Sequence, residues 1–414
     1  FRKPLEKFCT FFEDFIAAIT HRQSNGGGPV FINLLDDVNQ YVSHSEFLCM
    51  KKALFSFNEK LCDLGANYEN IFILSNQDIF AKYALNDVLS YENYDILGMP
   101  YNVSLASEVA NSYYHSISGI YTIKKKVLVV DADNTLWQGV IGEDGVEGVK
   151  IGGEYPGSIF ADFQRQLLRY KQAGLLLCLC TKNNSADIED AFSQRDMPLS
   201  LNDFVVTKTN WERKSTNILE IVDELNLGLE SVIFVDDNPF EIDEVSGCLE
   251  GVTCLQFDYK NKKESVSLLD KRLDLFRDHT TDEDTSKTEI YKAEKLRNEV
   301  KTYYKSENEF QNSLNLEIEY FVNNSVHVKR ASQMSMKTNQ FNLTAKRYSI
   351  SDISLFMKNH KVITVCVSDK YGDMGVVGLA ILIDNEIDTF LMSCRAFGRK
   401  IENTIFSICE KETP

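Results

Sequence analysis

The sequence predicts an α/β fold, with a parallel sheet in the middle of the chain, an α/β flank before it and an α+β domain after it. Three observations carry that prediction. Between Val127 and about Phe257, short apolar runs alternate with amphipathic helical stretches, the pattern of repeated β-α units. The apolar runs of that span break into polar clusters on their C-terminal side, where a parallel sheet meets its functional loops. From about Leu316 the pattern changes to longer strand-like runs, after a charged stretch that separates the two regions. A chain of 414 residues has room for two or three domains with cores of their own. The boundaries read as 1–122 for the flank, 123–277 for the central domain, 278–315 for a charged linker and helix, and 316–414 for the last domain.

In the flank, Phe11 to Ile19 reads as an apolar helix, and Gly26, Gly27, Gly28 and Pro29 break the chain before the run Val30–Leu35. Ile71–Leu74 is a short strand. The central strands are Val127–Val130, Leu175–Cys180, Phe204–Val206 and Val232–Val235. Ile159–Tyr170 carries Phe160, Phe163, Leu167 and Tyr170 at helical spacing and stops before Gly174; Ile218–Leu225 stops before Gly228. In the charged stretch, Thr281–Asp284 reads as linker, while Ile290, Ala293, Leu296, Val300 and Tyr304 share one helical face. The last domain holds strands at Val362–Val367, Val376–Ile383 and Ile387–Met392.

Composition excludes several classes. Acids outnumber bases 61 to 44, for a formal charge of −17, which disfavours nucleic acid and anionic lipid as partners. No apolar run approaches the ~20 residues that span a bilayer, and no signal peptide opens the chain. The ten cysteines form no CxxC pair and no zinc spacing, which fits reduced thiols and a cytoplasmic location. His21, His44, His115, His279, His327 and His360 are scattered without ligand spacing. A chain that starts at Phe1 and stops at Pro414 is expected to be a piece of a larger polypeptide.

The sharpest local signal is the run Val127–Val130 followed by Asp131-Ala-Asp133-Asn134-Thr135. A calcium loop would need Gly and Glu where Leu136 and Gly142 stand, so that reading fails. Three more clusters follow in order: Cys180-Thr181-Lys182-Asn183, then Lys214 at the start of a helix, then Asp236-Asp237-Asn238-Pro239. Like charges 4 Å apart repel by about 4 kcal/mol at an effective dielectric near 20, so these carboxylates facing a phosphate call for a divalent cation. Magnesium suits an oxygen-only donor set. One aspartate can attack phosphorus while a second moves the leaving-group proton. The pair Asp36-Asp37 also follows an apolar run but lies outside the alternating unit, and reads as a surface or cap pair.

This ordered set resembles the haloacid dehalogenase superfamily. Carried over, the resemblance implies Asp131 as nucleophile, Asp133 as general acid/base, Thr181 and Lys214 as phosphate-binding residues with Lys182 and Asn183 beside them, and Asp131, Asp133, Asp236 and Asp237 as the Mg2+ site. The segment Trp137–Ser158 is too short for a large cap domain, and an open site suits a large substrate. The likeness narrows to the FkbH-like glyceryl transferase/phosphatases of polyketide pathways, on the strings Asp133-Asn134-Thr135-Leu136-Trp137-Gln138-Gly139-Val140-Ile141-Gly142-Glu143-Asp144-Gly145, Asp236-Asp237-Asn238-Pro239, Lys337-Thr338-Asn339-Gln340-Phe341-Asn342-Leu343-Thr344 and Ser393-Cys394-Arg395-Ala396-Phe397-Gly398-Arg399. That family is implied to dephosphorylate 1,3-bisphosphoglycerate and load the D-glyceryl group onto the phosphopantetheine thiol of an acyl carrier protein. Three acyl routes stay open: a thioester on Cys180, which adjoins Thr181; one on Cys394; or direct transfer to the carrier thiol.

The last domain resembles an N-acetyltransferase fold cut short. Arg395, Gly398, Arg399 and Lys400 stand where that fold grips a pyrophosphate, with Lys400 replacing a glycine, and are expected to hold the carrier's phosphopantetheine. The flank faintly resembles an SGNH-hydrolase unit, without its Gly-Asp-Ser block or Asp-x-x-His. Two other readings compete: a plain magnesium phosphatase on a small metabolite or phosphoprotein, and a non-catalytic carrier-docking module of a multienzyme.

Overall fold

Parallel strands covered on both faces are written as continuous apolar runs, and the inner strands of the central sheet follow that rule. The computed structural model describes residues 2–24, 27–36, 43–68, 70–83, 88, 90–98, 101–261, 265, 267–270, 272–277, 282–301, 303–304, 306–337, 341–344, 346–384, 386–393 and 396–413. In the flank, β1 (Val30–Asn33) and β2 (Ile71–Leu74) pair in parallel. The helices Arg2–Ser24 and His44–Asn67 cover them, with Phe12, Phe57, Leu61 and Leu64 in a small core. Asp36 is held by the amides of Asn33 and Asn76 and takes part in flank packing; Asp37 lies outside the described residues.

The central domain carries β3 (Val127–Val130), β4 (Leu176–Thr181), β5 (Phe204–Thr209), β6 (Val232–Asp236) and β7 (Thr253–Gln256), all parallel and ordered β5-β4-β3-β6-β7. Alternation sorts their side chains into two cores. Leu128, Val130, Leu177, Leu179, Ile233 and Val235 face the helix Gly157–Gln172 and its Phe160, Phe163 and Leu167. Val127, Val129, Leu176, Cys178, Cys180, Val232 and Phe234 face the opposite layer, where Ile218, Ile221 and Val245 come from the helices Lys214–Glu224 and Pro239–Cys248. The edge strand β7 was not legible as a strand: its residues are only partly buried, and its apolar run is short.

The last domain is antiparallel, ordered β11-β10-β9-β8 from β8 (Glu317–Val322), β9 (Lys361–Asp369), β10 (Gly372–Ile383) and β11 (Glu386–Met392). The helix Ile401–Glu412 packs on one face of it, and Val328–Lys337 with Ile350–Asn359 on the other. Gly378 permits the first contact: a Cβ there would lie 2.5 Å from the Ile405 side chain.

Within the stretch expected as a charged linker and helix, the helix forms and serves as a strap between the central and last domains. The helix Lys287–Lys301 lies against both sheets. Toward the central domain, Lys287 donates to the Gly174 carbonyl at 3.0 Å and Lys292 to that of Asn202 at 2.5 Å. Toward the last domain, the buried guanidinium of Arg297 donates to both oxygens of Asp369, whose carboxylate is also buried, at 2.7 and 2.8 Å. Glu294 extends the network, accepting from Arg297 and, through both oxygens, from Arg399. Among the described residues, no helix is long and apolar enough to cross a membrane.

Candidate active site

The sheet's order reverses at β3: the chain builds β4 and β5 on one side of it, then crosses to β6 and β7 on the other. A cleft opens at such a point, because the loops after the two adjacent strands diverge. Val130 and Val235 are register partners, so Asp131 and Asp236 emerge side by side. Asp131, Asp236 and Asp237 each bring a carboxylate oxygen within 4.8 Å of the others.

Lys214, the first residue of its helix, rises into this group. Its Nζ donates to Asp131 Oδ1 at 2.6 Å and to Asp236 Oδ2. Burial opposes its charge, but the two carboxylates outweigh burial and hold its pKa well above the usual lysine range. Burial, reinforced by Asp131, pushes the Asp236 carboxyl upward against the pull of Lys214. Burial and Asp131 likewise push Asp237 up to about 6.

Asp133 stands apart from the three. Its Oδ1 accepts from the indole Nε1 of Trp137 at 2.9 Å and from the backbone N–H of Ile141 at 3.1 Å; its Oδ2 accepts from Asn183 Nδ2 at 3.0 Å. The expectation that Asp133 joins the metal carboxylates is corrected here, because its side chain is held by these donors instead. Burial raises its carboxyl above the usual carboxylate range, and the three N–H donors pull it back. The loop that presents it is bent at Asn134, with φ of 54°, whose side chain accepts from the Gly139 N–H at 3.0 Å.

The structure brings together Asp131, Asp133, Thr181, Asn183, Lys214, Asp236 and Asp237 around one cleft of about 340 Å³. Asn183 Nδ2 also reaches Thr181 Oγ1 at 2.9 Å, so the hydroxyl and the general acid share one amide. Lys182 lines the cleft, but its ammonium is paired with Glu241 at 2.6 Å. Between Asp133 and the helix Gly157–Gln172 lies the short helix Ile141–Gly148, and the cleft opens to solvent. Trp137 is the site residue that motif reading passed over. The signal was its place four positions after Asp133, within reach of that carboxylate in a tight turn.

Two groups of expected residues are not in the cleft. Cys180 is fully buried on the far side of β4, in line with Cys178 and Leu176, because strand neighbours alternate and Thr181 takes the cleft side. Burial pushes its thiol up to about 12, so its thiolate population is negligible. An acyl-carrying role for Cys180 is therefore corrected to a core role. Cys180→Ala should leave phosphate turnover within about twofold and cost about 1 kcal/mol of stability. Turnover and a melt check both; loss of turnover with the fold intact would return the thiol to the chemistry.

Cys394 and Arg395 lie outside the described residues. None of Gly398, Arg399 and Lys400 lines the cleft. Arg399 is buried and holds Glu294 at 2.7 and 2.8 Å, so its expected grip on a phosphate is corrected to a structural one. The Gly398 carbonyl accepts from Gln311 at 2.6 Å. Lys400 takes φ of 58°, the left-handed conformation that the glycine of the acetyltransferase pattern would adopt without strain.

No family model and no curated protein matches the chain. Among solved structures it is similar to the N-terminal part of the protein BF1531 from Bacteroides fragilis, which contains a phosphatase domain complexed with Mg. The identity is 29%, covering 64% of this chain and 72% of that one, with a TM-score of 0.54. A HAD-family enzyme from Bacteroides thetaiotaomicron, in complex with magnesium and inorganic phosphate, aligns with 33% of this chain and 95% of its own at 11% identity; at a TM-score of 0.25 it supports no argument.

Proposed function

We propose, from the premise that the central domain is a haloacid-dehalogenase-type phosphatase domain, that the chain is a magnesium-dependent phosphatase acting through Asp131. Its substrate would be 1,3-bisphosphoglycerate, whose glyceryl group passes to the phosphopantetheine thiol of an acyl carrier protein. The observation that carries the phosphatase reading is the grouping of Asp131, Asp236 and Asp237, the first two paired with the Lys214 ammonium, beside a separately held Asp133. Three hard oxygen donors so close together fit magnesium, and Asp131, Asp236 and Asp237 would hold it. When bound, magnesium offsets the charge of the phosphate against these carboxylates.

The residues then divide the work. Asp131 attacks phosphorus, and the bond from phosphorus to the ester oxygen breaks with its electron pair leaving on that oxygen, which takes a proton from Asp133. Water attacks the resulting aspartyl phosphate and gives a proton to Asp133, restoring Asp131 and releasing phosphate. Thr181 and Lys214 offer donors to the phosphate oxygens.

The acyl half of the proposal rests on the resemblance of the motif strings. An acyl phosphate is already activated, and the burial of Cys180 supports direct attack by the carrier thiol: a C–S bond forms, the C–O bond to phosphate breaks, and the thiol proton goes to solvent. The test is intact-mass analysis of enzyme and carrier after incubation with 1,3-bisphosphoglycerate and magnesium. The carrier is expected to gain one glyceryl group, with release of the ester phosphate abolished by chelation and restored by added magnesium. Phosphate release with no mass on the carrier would reduce the chain to a plain phosphatase. An enzyme adduct lost in Cys394→Ala would move the acyl group through that thiol.

A further inference from the structure

The loop after Asp133 returns a buried indole to the carboxylate it has just presented. Trp137 is fully buried, with its ring edge-on to Phe192 at a centroid distance of 5.7 Å, and its only hydrogen-bonding atom, Nε1, is spent on Asp133 Oδ1. A carboxylate oxygen has two in-plane lone pairs. On Oδ1 both are taken, one by this indole and one by the Ile141 N–H; on Oδ2, among the described residues, only one is taken, by Asn183. The two oxygens of the general acid are therefore not equivalent.

We propose that Trp137 is a positioning residue that, with the Ile141 N–H, fills Asp133 Oδ1 and fixes Oδ2 as the oxygen that exchanges a proton with the leaving group. The inference rests on the phosphatase reading above and deepens it. As the bond from phosphorus to the ester oxygen breaks, the electron pair stays on that oxygen, the Asp133 Oδ2 proton moves to it, and Asp133 is left a carboxylate whose charge the three N–H donors already face. Without the indole, Oδ1 regains a vacant lone pair, the side chain can rotate about its terminal bond, and the proton is no longer held in one place.

A purely structural Trp137 would affect every substrate alike, whereas a positioning one affects substrates according to how much they need the proton. Trp137→Phe keeps a ring against Phe192 and removes the N–H. With an alkyl phosphate, whose leaving alkoxide must be protonated, kcat/KM, which reads events through departure of the leaving group and not the later water attack that both substrates share, should fall about tenfold to a hundredfold. With p-nitrophenyl phosphate, whose leaving group departs as a stable anion, it should fall by no more than about threefold. The same contrast is expected with 3-benzothienylalanine at position 137, which keeps the bicyclic shape and replaces N–H by sulfur; this variant carries the test should Trp137→Phe fold poorly. Equal losses on both substrates, or no loss on either, would overturn the assignment while leaving the phosphatase reading intact. A wild-type enzyme that hydrolyses neither ester would remove that reading, and this inference with it.

Discussion

Asp131→Asn is expected to lower phosphate release by about 10⁴-fold or more, the scale on which loss of a covalent nucleophile is felt. The amide matches the carboxylate in shape and cannot attack phosphorus. The fold should survive, because Lys214 keeps Asp236 as its ion partner. Single-turnover phosphate release is the measurement, with circular dichroism as the control for folding. Turnover within tenfold of wild type in a folded variant would remove Asp131 from the chemistry and leave the cluster a bare ion site.

The second large effect is on stability. Arg297→Met should cost about 3–5 kcal/mol, because Asp369 is then left buried without a counter-ion. Exposed pairs such as Arg165 with Asp162 contribute far less, since solvent screens both charges. Denaturant unfolding followed in the last domain would show the loss. The double variant Arg297→Met with Asp369→Leu should recover much of it, because replacing both partners leaves no orphaned charge. A single variant as stable as wild type would mean that the pair does not hold strap and sheet together.

The central sheet was legible because its strands are covered on both faces, which forces runs such as Val127–Val130 to be apolar throughout and makes the polar residues after them conspicuous. The same double covering hid the fate of Cys180. Where both faces are apolar, the pattern does not say which one a thiol joins, and one step along the strand separates the cleft from the core. The pairing of Lys182, which does line the cleft, and the burial of Arg399 were hidden for a different reason. Each side chain is neutralised by a carboxylate remote in sequence, Glu241 and Glu294 respectively, and no local spacing reveals such a partner. Trp137 was visible only as part of a motif string, since an indole reads as core until its N–H is seen to have a single place to go.

The strap Lys287–Lys301 changes what counts as a module in this chain. Composition draws a border near residue 278, yet the helix that follows it belongs to both neighbours at once. A fragment ending at 277 would leave the Gly174 and Asn202 carbonyls without their lysine donors. One beginning at 316 would carry Asp369 without Arg297 and Arg399 without Glu294. Excision at the visible border would injure both products, so the unit that can be transplanted or expressed with its geometry intact is the pair of sheets together with the helix between them.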